Sequence, residues 1–169
     1  YILMKRHKQE KIMKTFLNSR AFTLAELMAV VVIIAILAGI AIGSYRRSVD
    51  RAKFADGRSL AHQIAAARDS YYYDRLYGGD TAVIPTNFSL LPLELDGASG
   101  STYNGDNFKV YIGNVNYVRA DDNDGNYGIC VYQEANKRGK VSGEKCIYYN
   151  TDGNEFCQSM GYSSPASSC

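Results

Sequence analysis

Residues Ala21 to Tyr45 read AFTLAELMAVVVIIAILAGIAIGSY, an apolar run broken by a single acid, Glu26, near its start. Nothing from Leu27 to Tyr45 is charged. As a helix rising ~1.5 Å per residue, that stretch spans about 28 Å, close to the thickness of a bilayer's hydrocarbon core. The segment can therefore sit in a membrane. A carboxylate at one end of it is costly unless something neutralises it, so Glu26 needs a partner and is a functional residue by default. Six basic residues, Lys5, Arg6, Lys8, Lys11, Lys14 and Arg20, precede the run against one acid, Glu10. By the positive-inside rule they hold the N-terminal end on the cytoplasmic side, which puts the rest of the chain outside.

The series Ala21, Phe22, Thr23, Leu24, x, Glu26 after a short basic leader, continued by the long apolar helix, resembles the prepilin motif of type IV pilins and of the pseudopilins of type II secretion. The resemblance implies cleavage by a prepilin peptidase between Ala21 and Phe22, N-methylation of Phe22 and retention of the apolar helix. An ordinary secretory signal is cleaved beyond its apolar stretch and loses it. The resemblance also implies a partner for Glu26, the new amine on Phe22 of an adjoining subunit. Two such charges attract strongly in a low dielectric while each loses hydration, so the net energy is small and the axial register they enforce is sharp. Taken without the motif, the same segment is a plain membrane anchor with Glu26 at the interface. Met4 and Met13 are both candidate starts. From Met13 the leader is MKTFLNSRA, and residues 1–12 are then upstream translation with no role in the fold.

Removal of residues 1–21 leaves 13 basic against 16 acidic residues, a formal net charge of −3. The basic balance of the whole chain is thus a leader effect, and the mature part carries no general footprint for nucleic acid, which needs clustered Lys and Arg. About a hundred residues remain beyond the long helix, enough for one small core. All four cysteines, Cys130, Cys146, Cys157 and Cys169, lie in the last quarter. In an exported small domain they read as two disulfides, with three possible pairings. Cys130 with Cys146 and Cys157 with Cys169 is the expected set, because both close short loops. Spacings of 16, 11 and 12 residues with no Cys-x-x-Cys pair do not fit zinc knuckles.

Beyond Arg46 the pattern turns amphipathic: Leu60, Ile64, Ala67 and Tyr71 recur at helical spacing beside Phe54, Ala61, Ala65 and Tyr72. No proline interrupts Phe22 to Tyr77, so one helix is expected, with a transmembrane part over 22–45 and an amphipathic part over 46–77. Gly39 and Gly43 weaken it, at ~1 kcal/mol each relative to Ala. In the related filaments this stretch often carries a proline and unwinds on assembly, and Gly43 stands where that proline is common, so both glycines are candidates for local melting. Gly78 and Gly79 end the helix. A globular head over 78–169 follows, with a loop over 78–107, one helical turn near Leu90 to Leu95, and a sheet over 108–149. Strands are expected at Phe108 to Ile112, Tyr117 to Ala120, Tyr127 to Glu134 and Lys145 to Tyr149. A short helix over Asn154 to Gly161 completes a disulfide-bearing region, 130–169. The fold class is α+β, a long N-terminal helix packed on an antiparallel sheet of about four strands, as in pilins.

His7 falls in the leader, and His62 sits in mid-helix with no Ser or Cys arrangement suggesting a triad. No catalytic residue is identified and no cofactor is expected. Asp121, Asp122 and Asp124 are weak calcium candidates, lacking the alternation and terminal Glu of an EF-hand loop, and a tight turn explains them equally. The fourteen tyrosines, with Tyr71-Tyr72-Tyr73 in a row, suit half-buried sheet and helix faces. The leading functional expectation is a structural subunit of a type IV pilus-like extracellular filament that polymerises through its N-terminal helices. Its expected partners are copies of itself, the prepilin peptidase and methylase, and an inner-membrane assembly platform with an ATPase. It would be stored in the bacterial inner membrane before export. The alternatives are a minor pilin, a periplasmic pseudopilin of type II secretion, for which the absence of Trp and the two expected disulfides are less suited, or a tethered monomer binding a ligand.

Overall fold

The computed structural model describes residues 22–134 and 141–169. The expected leader, 1–21, with Ala21 at the cleavage position, lies outside the described residues. The chain divides into two compact units, one ending at Arg46 and the other running from Arg47 to Cys169.

Helix α1 spans Leu24–Tyr77. Its start is a capping box: Glu26 N donates to Thr23 Oγ1 (3.2 Å), while one oxygen of Glu26 accepts from both the Thr23 backbone N–H and its hydroxyl, each at 2.9 Å. Its end is a Schellman motif. Gly79 takes a positive φ of 82° and Asp80 N donates to Arg75 O at 3.1 Å, with the Arg75 guanidinium also on Asp80 (2.7 Å). In the second unit, Phe54, Gly57, Ala61, Ile64, Ala65, Ala67 and Arg68 form the buried stripe of α1. Gly57 is there for close approach, since a Cβ at that position would stand 2.7 Å from the Phe108 ring.

Six strands follow as an antiparallel meander in the order β1 to β6: β1 Ala98–Ser99, β2 Thr102–Asn104, β3 Phe108–Tyr111, β4 Tyr117–Asp122, β5 Tyr127–Gln133 and β6 Val141–Tyr148. The sheet is larger than the four strands expected, because the presumed loop folds its last part into the β1–β2 hairpin and contributes a 3-10 turn at Phe88–Leu90. Strand β4 runs two residues further than expected and β6 starts four residues earlier. Alternation along the strands turns Phe108, Val110, Val118, Ala120, Ile129 and Val131 to the α1 side, where all are buried. Helix α2, Thr151–Ser159, begins three residues before its expected start because Asn150 caps it, its side chain accepting from Gly153 N (2.8 Å).

The disulfides join Cys130 to Cys169 and Cys146 to Cys157, so the expected set, Cys130 with Cys146 and Cys157 with Cys169, is wrong. The register explains it. Cys130 lies opposite Lys145 and Cys146 lies opposite Ile129, so the two cysteines sit one residue out of step and face opposite sides of the sheet. Cys146 joins the core on the α1 side and meets Cys157 from α2. Cys130 faces outward and meets the C-terminal tail, whose Ala166 bonds along the β6 edge, accepting from Tyr148 N (2.9 Å) and donating to Cys146 O (3.1 Å).

Buried polar groups complete the packing. Arg68 is fully buried, and the acceptors described for it are all neutral. Its guanidinium donates to Pro85 O (2.9 Å), Asn114 O (2.8 Å), Tyr117 O (3.1 Å) and Gln133 Oε1 (2.7 Å), and Gln133 in turn donates to Ala65 O (2.9 Å). Burial pulls the Arg68 pKa down to about 10, still well above neutral, so these neutral acceptors hold a cation.

Candidate functional site

The N-terminal segment is built from Phe22, the cap Thr23 and the first turn of α1. Phe22 is 75 % exposed, and every residue from Phe22 to Ser48 is exposed in the isolated chain. Over Leu27 to Ile42 that surface is Leu, Met, Val, Ile, Ala and Gly, and the helix is long and apolar enough to cross a membrane. Exposed apolar patches much beyond a few hundred Å² mark membrane or protein contacts, and this one encircles more than four helical turns. Gly39 and Gly43 both lie in regular helix, and a Cβ at either would meet nothing within 4 Å. They leave two small, smooth places on the rod.

Glu26 is thus engaged within its own chain by the Thr23 cap, a role the sequence reading overlooked. The signal was present: Thr followed three residues later by Glu before an apolar run is a helix-start signature. The cap fixes where the carboxylate sits, at the first turn, beside the positive end of the helix dipole and one turn from Phe22.

The other sequence candidates scatter. Asp121 and Asp122 are consecutive in β4 and project to opposite faces, so Asp121 is turned away from Asp122 and Asp124, which line one cleft, and the three do not converge as a calcium loop requires. Asp121 accepts from the Tyr149 hydroxyl (2.6 Å) and pairs with Arg119 Nε (3.1 Å). Asp122 lies 6 % exposed on the other face, where burial raises its pKa, and Asp124 reaches Lys53 at 3.6 Å. The turn itself is closed by Gly125, at φ 72°, donating to Asp122 O. Among the described residues no group of three His, Cys, Asp or Glu side chains is placed to share a metal ion.

His62, without a partner in the sequence reading, has one in the fold. Its Nε2 lies 2.7 Å from Glu144 Oε2, while Arg58 grips both Glu144 oxygens at 2.8 Å and the Tyr162 hydroxyl donates to Oε1 at 2.7 Å. Burial works against the Glu144 charge, but the hydrogen bonds from Arg58, His62 and Tyr162 outweigh it and bring the carboxyl down to about 2. The same contact, with burial leading, raises the Tyr162 phenol. This cluster ties α1, β6 and the C-terminal segment together. With the carboxylate saturated by donors, its geometry is that of a clasp.

Residues 17–42 match the profile of the prokaryotic N-terminal methylation motif. No curated protein and no solved structure matches the chain. The matched stretch contains the exposed Phe22, the Thr23–Glu26 box and the exposed apolar turns just described. On that motif, at the head of an α+β fold consistent with pilins, this chain carries the class III prepilin-like signal of type IV pilins and pseudopilins.

Proposed function

We propose that the protein is a structural subunit of a type IV pilus-like extracellular filament, released from its leader between Ala21 and Phe22, methylated at Phe22 and assembled through the N-terminal part of α1. The observation that carries this reading is the coincidence of the methylation motif at 17–42 with a helix whose apolar residues are exposed all the way round. A core-facing helix has one wet side. A helix with none is made for lipid or for neighbours, and a prepilin-type signal is a route from the first to the second. Transfer from lipid to a helix bundle brings little hydrophobic gain, so packing of small residues such as Gly39 and Gly43, together with the Glu26 to Phe22 amine pair, would set subunit register. Gly39 and Gly43 are also the proposed places where the rod loosens once packed.

The two disulfides and the absence of Trp favour a pilus head over a type II secretion pseudopilin. The test is to shear producing cells, collect the high-molecular-weight material and identify its subunits by mass spectrometry. A mature N-terminus at methylated Phe22 in filaments of this chain is the expected result. A protein found whole in membranes, beginning upstream of Phe22 and never in the sheared fraction, would overturn it.

A further inference from the structure

Every described Lys and Arg beyond α1, namely Lys109, Arg119 and Lys145, lies on the sheet face turned away from α1. The register makes this a grid. Tyr111 stands opposite Arg119, Arg119 opposite Cys130, and Cys130 opposite Lys145, while Tyr117 and Tyr132 face one another one step along. Each cation lies over a ring: Lys109 at 5.7 Å and Arg119 at 4.5 Å from the Tyr111 centroid, Lys145 at 5.4 Å from that of Tyr132. The rings restrict the cations and leave their charges facing out. Of the three acids within β3 to β6, only Asp121 shares this face, and it pairs with Arg119. Lys109 and Lys145 are exposed. The carboxylates that the head holds in excess lie elsewhere: Asp50, Asp122, Asp124 and Asp152 line one cleft of about 110 Å³ on the α1 side, near α2, where the single cation among them, Lys53, pairs with Asp124.

We infer that this outer sheet face is a head-to-head interface whose occupant is the acidic surface of a second copy of this chain. Exposed ion pairs are each too weak to meet the entropy cost of capturing a partner from solution. Between heads already tethered by packed helices that cost has been met, and the effective concentration is high enough for two lysines to set how neighbours lie. The contact joins unlike patches of one chain, so it propagates along a polymer and does not close a dimer. The inference rests on the filament reading above.

The test uses sheared wild-type filaments and a zero-length carbodiimide cross-linker, which joins an amine to a carboxylate only in direct contact. Peptides linking Lys109 or Lys145 to an acidic peptide of another copy, distinguished by mixing isotopically light and heavy subunits, are the expected product. The paired variant Lys109→Glu with Lys145→Glu should lower filament yield about tenfold while leaving the Tm of the detergent-solubilised subunit unchanged. The corresponding Lys→Gln pair should fall between it and wild type. Lysines equally reactive to an amine reagent in filaments and in dispersed subunits, or cross-links only to a different protein, would overturn the interface. If wild-type cells yield no filaments at all, it is the proposed function that fails.

Discussion

The two parts of α1 use the same backbone for opposite purposes. From Leu24 to Arg46 the helix exposes everything it has, and its apolar residues find no burial among the described residues. From Phe54 to Arg68 the same helix presents a narrow stripe, buries it, and leaves charged residues outside. Helix propensity does not distinguish them, since Gly39 and Gly43 in the first are matched by Gly57 in the second. The difference is where the partner surface comes from. The second part meets its own sheet, so substitutions there should read out in folding. The first part must borrow a partner, so substitutions there should read out in assembly.

Arg68 breaks the second part hardest. Replacing it with Met keeps apolar bulk but strands Pro85 O, Asn114 O, Tyr117 O and the Gln133 amide oxygen, which it now satisfies. The expected cost is about 3–5 kcal/mol, from orphaned buried acceptors, read from denaturant unfolding of the solubilised chain. A loss below about 1 kcal/mol would mean that water reaches those acceptors and that the stripe is less dry than it looks.

The disulfides come next. The Cys130 to Cys169 bridge spans 39 residues and Cys146 to Cys157 spans 11. On chain entropy alone, removing the first costs about 4 kcal/mol and the second about 3 kcal/mol. Paired Cys→Ser and Cys→Ala substitutions measure this, and peptide mapping without reduction identifies the linked peptides directly. Recovery of Cys130 with Cys146 would contradict the β5–β6 register itself.

These two cases show what was legible in the sequence. Helical spacing gave the buried stripe and unbroken length of α1, and the runs rich in Tyr, Val and Ile gave β3 to β5 nearly to the residue. Strands β1 and β2 are two and three residues long, too short to show alternation. The cysteine pairing depends on which face each residue takes, and that is set by register, which a single strand's pattern does not report. Arg68 was findable, for it falls four residues after Ile64, three after Ala65 and seven after Ala61, a charge in step with an apolar stripe. Glu144 was not: it meets His62 across 82 positions, and nothing local in either neighbourhood announces the other.

Glu144→Gln gives the third effect, about 1–2 kcal/mol, since the acceptor is kept while the charge that Arg58 grips is lost at a partly exposed site. Its pH dependence has a definite sign. The folded carboxyl titrates at about 2, below the ordinary Glu value of about 4.3, so its contribution is complete above the ordinary value and disappears as pH falls through the folded one. The Tm difference between wild type and Glu144→Gln should therefore be present at pH 5 and narrow steadily below pH 4. A difference unchanged down to pH 2 would show that the charge is not what the clasp uses.

Glu26 sharpens the comparison because its expected effect on the head is the smallest of all. It lies outside the unit that begins at Arg47, so neither Glu26→Ala nor Glu26→Gln should move the head's Tm. The two variants differ at the cap. Gln at the third helical position can still answer Thr23 in a capping box, whereas Ala cannot. Gln therefore preserves the start of the rod and removes only the charge proposed to meet the Phe22 amine of a neighbour. If that pairing sets register, Gln and Ala should both process normally and both lower filament yield about tenfold. If Gln assembles like wild type and Ala does not, the carboxylate acts as a cap within its own helix. The first part of α1 would then depend on its neighbours for packing alone, with no ion pair between them.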